Sequence, residues 1–197
     1  MLTVIEPATN RNLTTLLAVK AELDLQHEKD DVYLLEMIGQ ASAAIEAWCM
    51  RALVAETVRE VIHLVEPSAT LLLERCPVIS IASVTIEGGA LPADQYEADA
   101  GAGIVYRLSS GGSRTRWSAG RVVIDYAAGF AVPAGIPPDL NRAAVLAVRG
   151  AYLNRARDTA IKSEEIPGII TASYWSPSSL PLEVIQLIER YRAPGIA

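Results

Sequence analysis

The stretch RVVIDYAAGFAVPAGIPPDLNRAAVLAVRGAYLNRAR, residues 121–157, decides the fold. Its first part alternates: Val122, Ile124 and Tyr126 fall on one face and Val123 and Asp125 on the other, which predicts a strand ending near Ala128. Gly129, Pro133, Gly135, Pro137 and Pro138 then exclude regular pairing. Pro138 or Asp139 opens a helix, because proline suits a first turn and an acid complements the helix dipole. On that helix only Arg142 and Arg149 mark a narrow polar stripe, while Leu140, Ala144, Val145, Leu146, Val148 and Tyr152 cover most other directions. Such a helix is buried on more than one side, against its own core and against another element or subunit.

Working outward, residues 1–12 carry no strong pattern, whereas Leu13, Leu16, Leu17, Val19 and Leu23 predict a short helix capped by Asn12 or Thr14 and stopping at Asp24 to Gln26. A longer helix opens at Asp30 or Asp31 and runs to about Ala52, with Leu34, Ile38, Ala41, Ile45, Trp48 and Cys49 on its core face. Its reverse face is small. Ala43 and Ala47 permit close approach by another element, and Met50 joins them.

From Leu53 the period changes to two: Val54, Glu56, Val58, Glu60 and Ile62 alternate with their neighbours, although neither face is uniformly apolar. Further strands are predicted at Leu71 to Leu73, Ile79 to Ile86, Tyr96, Ile104 to Leu108 and Arg121 to Ala127, with Gly88-Gly89 as a turn and Ser109 to Ser113 as a loop tip. After the central helix, Asp158 to Ser179 reads as an irregular excursion broken by Pro167, Gly168 and Pro177. A last helix from Pro181 to Tyr191 places Val184, Ile185, Ile188 and Tyr191 on one side. The fold class is α+β: a helical core from both chain ends with an inserted small antiparallel β domain. The expected divisions are 1–52 for the N-terminal helical part, 53–128 for the β domain, 129–158 for the hinge and central helix, and 159–197 for a C-terminal docking tail and helix.

The 197 residues suffice for a sizeable core without staples. A mean hydropathy of +0.25 is high for a soluble monomer and points to oligomeric contacts. The start lacks a signal-peptide pattern and no apolar run is long enough to cross a membrane, so a cytosolic protein with reduced Cys49 and Cys76 is expected. A net charge of −6 argues against nonspecific nucleic-acid binding, though not against a protein that lines a path for DNA.

No catalytic constellation stands out. Gly101-Ala102-Gly103 lacks the third glycine of a dinucleotide fingerprint, Ser118 lacks the first glycine of a nucleophile elbow, and His27 and His63 lack zinc spacing. Glu28, Asp30 and Asp31 read as helix-start electrostatics rather than a cation loop. No cofactor or metal is expected. Arg142, Arg149, Arg155, Arg157 and Lys162 gather around the central helix; a solvated face, intersubunit salt bridges and DNA-facing charge are the alternatives. Tyr174 and Trp175, in a proline-flanked loop, serve either local packing or a partner hot spot.

Several stretches together carry a resemblance that no one of them would carry alone: CPVISIASVTIEGGALPADQY, the Tyr126-Ala127-Ala128-Gly129 turn, the Pro138-Asp139-Leu140 helix start, Tyr152 with Asn154-Arg155, and Leu180-Pro181 with Tyr191-Arg192. The chain resembles, over almost its whole length, the head-to-tail connector (adaptor) proteins of long-tailed phages and gene transfer agents. One departure is Trp48-Cys49-Met50-Arg51, where the family more often has an aromatic, a Thr, a Gly and an Arg.

The resemblance implies a non-catalytic ring of about twelve subunits, self-associating between the portal protein and a tail-side connector or stopper, with DNA passing through the lumen. It implies assembly in the host cytoplasm and residence in the particle neck, with no membrane partner. Tyr174, Trp175, Val184, Ile185, Ile188 and Tyr191 are the expected portal contacts, and Ala43, Ala47, Met50, Arg142 and Arg149 the expected subunit contacts. The rival readings are a small cytosolic enzyme, which requires a pocket with convergent titratable groups, and a nucleic-acid accessory protein, which requires a contiguous basic stripe.

Overall fold

The computed structural model describes residues 1–155, 163–166, 170–173 and 180–193. The chain divides into two compact units, one formed by Met1–Asn10 with Ala52–Ala131 and the other by Arg11–Arg51 with Val132–Ala197. The α+β class holds, with antiparallel sheets throughout the named strands.

In the β unit the alternating stretch forms β9 (Gly120–Ala128), the middle of a five-stranded sheet. On one side it pairs with β2 (Glu56–Leu64), which is followed outward by β1 (Leu2–Glu6). On the other it pairs with β4 (Val78–Ile86), followed by the short β5 (Gly89–Ala90). The second sheet has the order β3 (Thr70–Leu72), β7 (Ile104–Leu108) and β6 (Tyr96–Asp99), with β8 (Arg114–Thr115) also pairing β7. Leu71 and Val105 of this sheet share one core with Val58, Val84, Val122 and Ile124 of the first. Trp117, just beyond β8, has no exposed surface, and its indole N–H donates to the Val105 carbonyl at 3.1 Å. β1 was invisible in the pattern because it is an edge strand: Leu2 is partly buried and the rest are exposed, so no alternation marks it.

The acids that spoil the alternation of β2 are buried and paired. Glu60 is 6% exposed; its Oε2 accepts from the Tyr126 hydroxyl at 2.7 Å and from the Glu74 N–H at 3.1 Å. The Tyr126 oxygen in turn accepts from the Arg75 N–H at 3.2 Å. Glu56 accepts from the Arg75 guanidinium and, at 3.3 Å, from the Ala8 N–H. Burial, then the hydrogen bond to Glu60, pushes the Tyr126 hydroxyl far above its ordinary pKa, so it remains a donor at any working pH. A buried acceptor that loses its donor costs about 1–3 kcal/mol. Tyr126→Phe should therefore lower stability by about that amount in urea titration with an unchanged m-value; a variant as stable as the parent would mean that water already satisfies Glu60.

The helical unit contains α1 (Leu16–Leu23), α2 (Asp31–Cys49), α3 (Pro138–Leu153) and α4 (Leu182–Ile188), with the strands β10 (Ser163–Ile166) and β11 (Ile170–Ser173) paired to each other. Thr15, rather than the expected Asn12 or Thr14, caps α1 by accepting from the Ala18 N–H at 3.2 Å. α2 ends at Cys49, three residues before the expected Ala52, because Met50 takes a left-handed conformation at φ 54°. That is the position where the connector pattern more often carries glycine, and glycine is the residue that adopts such a cap without steric cost. α3 begins with Pro138 at its first turn, as its sequence demands, and packs against α1, α2 and α4; Leu140, Ala143, Ala144 and Val148 have no exposed surface.

Candidate assembly interface

α2 divides its circumference between two jobs. Leu34, Ile38, Ile45 and Cys49 are fully buried. Trp48 is only partly buried, with the Arg192 guanidinium 5.1 Å from its ring centroid, so it borders the core rather than completing it. On the other side Val32 is 73%, Leu35 47% and Met50 55% exposed, and the exposed Ala43, Ala44 and Ala47 lie between them in sequence. The sequence-predicted Ala43, Ala47 and Met50 thus share an outward, largely apolar helix surface, interrupted by Glu36 and Gln40. Val32 and Leu35 were missed; the available signal was two large apolar residues lying off the core arc. Small side chains bring an approaching backbone close, and large apolar ones at the ends supply the area removed from water.

The other predicted contacts fare differently. Arg142 and Arg149, both on α3, converge on Glu22 of the same chain at 2.6 and 3.1 Å while staying about half exposed. The Arg142 hydrogen bond, with Arg149 adding to it, holds the Glu22 carboxyl below its usual pKa. A depressed carboxyl contributes stability that is present above the ordinary carboxylate range and fades as pH falls through the lowered value. Arg155 pairs with Asp30 at 3.4 Å and lies 4.1 Å above the Tyr152 ring, whose hydroxyl donates to Asp30 at 2.5 Å. These three arginines are therefore engaged by acids of their own unit rather than forming an unneutralised stripe. Arg157 and Lys162 lie outside the described residues, as do Tyr174 and Trp175.

The expectation that the last helix presents Val184 and Ile188 to a partner is corrected by their burial: neither has exposed surface. The C-terminal end of the helix and the residues that follow it are tied to the rest of the unit. Cys49 Sγ lies 4.0 Å from the Ile188 carbonyl, the Ala193 N–H donates to the Cys49 carbonyl at 2.9 Å, and the Tyr191 hydroxyl donates to Asp139 at 2.7 Å. Ile185 and Tyr191 keep part of their surface, and Leu182 is 52% exposed. Burial also raises the Cys49 thiol to a pKa of about 11, which keeps it an unreactive core residue.

A groove between α1 and α3 is lined by Ala18, Ala21, Pro138, Asn141 and Val145 with Glu22 and Arg142, and its one carboxylate, Glu22, is taken up by ion pairs to Arg142 and Arg149. The profile of the head completion protein family matches residues 12–193, and the chain belongs to that family, whose members are structural components of particle assembly and not enzymes. The family reached from the sequence motifs is consistent with this. Among the solved chains that share the fold, three are from gene transfer agent particles. One is from the neck of an empty GTA particle computed with C6 symmetry, at 21% identity and TM-score 0.59. A second is from the virion of a native gene transfer agent particle, at 20% identity and TM-score 0.58. The third is from the neck of a native GTA particle computed with C12 symmetry, at 21% identity and TM-score 0.57. Each match covers 100% of this chain and 97% of the other. No curated protein matches the chain.

Proposed function

We propose that the chain is a subunit of a ring in the neck of a phage or gene transfer agent particle, joined on one side to the portal protein and on the other to a tail-side connector or stopper. The observation that carries the reading is the outward face of α2, where Val32, Leu35, Ala43, Ala47 and Met50 leave apolar surface uncovered in a single chain. A ring requires contacts between unlike surfaces of neighbouring copies, and this face supplies one of them. Arg142 and Arg149 add charge to the subunit contact from α3. The fold shared with chains of GTA necks computed with C6 and C12 symmetry favours a twelve-fold ring. A net charge of −6 suits a lumen through which DNA passes without sticking. Tyr174, Trp175, Ile185 and Tyr191 remain the proposed portal contacts, and assembly takes place in the host cytoplasm.

The test is Ala47→Arg, made in the particle and examined by electron microscopy of the neck. The exposed site should tolerate the substitution, so the purified variant should melt with the parent, yet the neck should lack this ring. A complete ring built from the variant would remove the α2 face from the interface. Tight, salt-sensitive DNA binding by the parent chain alone would favour the accessory-factor reading instead.

A further inference from the structure

We propose that the open sheet edge at β1 is completed by β11 of a second copy of the chain; this rests on the ring reading and names a contact between neighbouring copies. β1 is the outermost strand of its sheet. At its start Met1 and Val61 exchange both backbone bonds: the terminal ammonium donates to the Val61 carbonyl and the Val61 N–H donates to the Met1 carbonyl, each at 2.8 Å. Bonded and non-bonded pairs alternate along an antiparallel ladder. With Leu2 opposite Glu60, Thr3 opposite Arg59 and Val4 opposite Val58, Thr3 bonds inward to β2, and the N–H and C=O groups of Leu2 and Val4 point out of the sheet. Val4 lies across from the core residue Val58 and is 39% exposed, and Ile5 is 45% exposed. The core of the β unit therefore runs to this edge without being closed, and Leu2 to Ile5 include no lysine or proline to repel an added strand.

The same chain carries the complementary element. β10 and β11 form a two-stranded sheet that pairs with no other strand among the described residues. A lone hairpin is marginally stable in water and gains from a third strand. β10 reads Ser-Glu-Glu-Ile and carries two acids, which disfavour an added strand, whereas β11 reads Ile-Thr-Ala-Ser and is uncharged. β11 is thus the edge suited to pairing, and its four residues match the five of β1. An acceptor edge and a donor hairpin on one chain make a heterologous contact, the kind that repeats from copy to copy until a rotation closes it.

Two full-length variants test this. Val4→Pro deletes a donor only on the outward side, where proline is tolerated in an edge strand, so the isolated chain should keep the parent's melting temperature but fail to build the ring. Thr3→Cys, combined with Thr171→Cys or Ala172→Cys, places thiols at an outward non-bonded position, where facing Cα atoms approach to about 4.5 Å. Mild oxidation of assembled necks should then give a ladder of disulfide-linked oligomers, absent from the parent with only Cys49 and Cys76. A ring assembled from Val4→Pro at the parent's yield overturns the inference, as does cross-linking confined to one chain or to a different neck protein. A parent neck that holds no ring of this chain sinks the ring reading and this inference together, whereas a ring without the ladder sinks this one alone.

Discussion

Ile188→Asp is expected to unfold the helical unit outright. Ile188 has no exposed surface, and its carbonyl lies 4.0 Å from the thiol of the fully buried Cys49. Leu140, Val148 and Val184 are equally closed to solvent in the same unit. A carboxylate placed there loses its hydration with no cation described beside it, at an effective cost of several kcal/mol, and the isoleucine's own packing is lost as well. Together the loss is at least about 4–5 kcal/mol, comparable to the whole stability of a modest domain. Circular dichroism should show reduced helix content, with no cooperative thermal transition for this unit. Leu182→Asp, on the same helix but 52% exposed, should change stability by no more than about 0.5 kcal/mol. If Ile188→Asp stays folded and loses only its binding to a portal, α4 is a docking helix after all and its burial within this chain is not what holds the unit together.

That experiment also marks where the sequence stops being informative. The amphipathic stripe of Val184, Ile185, Ile188 and Tyr191 says that one side of the helix is covered; period and composition are the same whether the cover is the chain's own α3 or a partner. α3 was readable because its residues are apolar in nearly every direction, which leaves burial on several sides as the one outcome. β9 was readable because it is central and alternates cleanly, with Val122, Ile124, Tyr126 and Ala128 buried in turn. β1 was not, since an edge strand with four exposed residues has no covered face to impose a period. Trp117 was overlooked for a related reason: it sits between Arg116 and Ser118, outside the named strands, and is fixed by a single bridge to Ser68 rather than by a pattern. As for the proposed interface, that small residues stand on the side of α2 away from the core was visible from the sequence. The pairing of Arg142 and Arg149 with Glu22 was not, because it joins positions more than a hundred residues apart.

The second large effect is expected at Gly129, where the decisive stretch turns from strand to hinge. Its backbone is at φ 117°, and a Cβ built there would stand 2.6 Å from both the carbonyl carbon and the oxygen of Val54 and 2.7 Å from the Ala55 nitrogen. These are main-chain atoms, so no side chain can rotate away to make room. They are also held in place: the Phe130 N–H donates to the Leu53 carbonyl at 2.7 Å, the Ala55 N–H donates to the Phe130 carbonyl at 3.0 Å, and the Gly129 N–H donates to the Pro77 carbonyl at 2.9 Å. An added methyl group must either break this parallel bridge between the entry to β2 and the exit from β9 or remain in a backbone region closed to L-residues, with strain of about 1–3 kcal/mol before any hydrogen bond is counted. Gly129→Ala should therefore lower unfolding free energy by about 3–5 kcal/mol in guanidinium titration. Gly150→Ala supplies the contrast, because Gly150 lies within α3, has no positive φ, and an added Cβ meets nothing within 4 Å. There the alanine should raise stability by about 0.5–1 kcal/mol through helix propensity. Equal effects at the two glycines would show that the close passage beside Val54 relaxes freely, and the bridge would then have no part in holding the hinge.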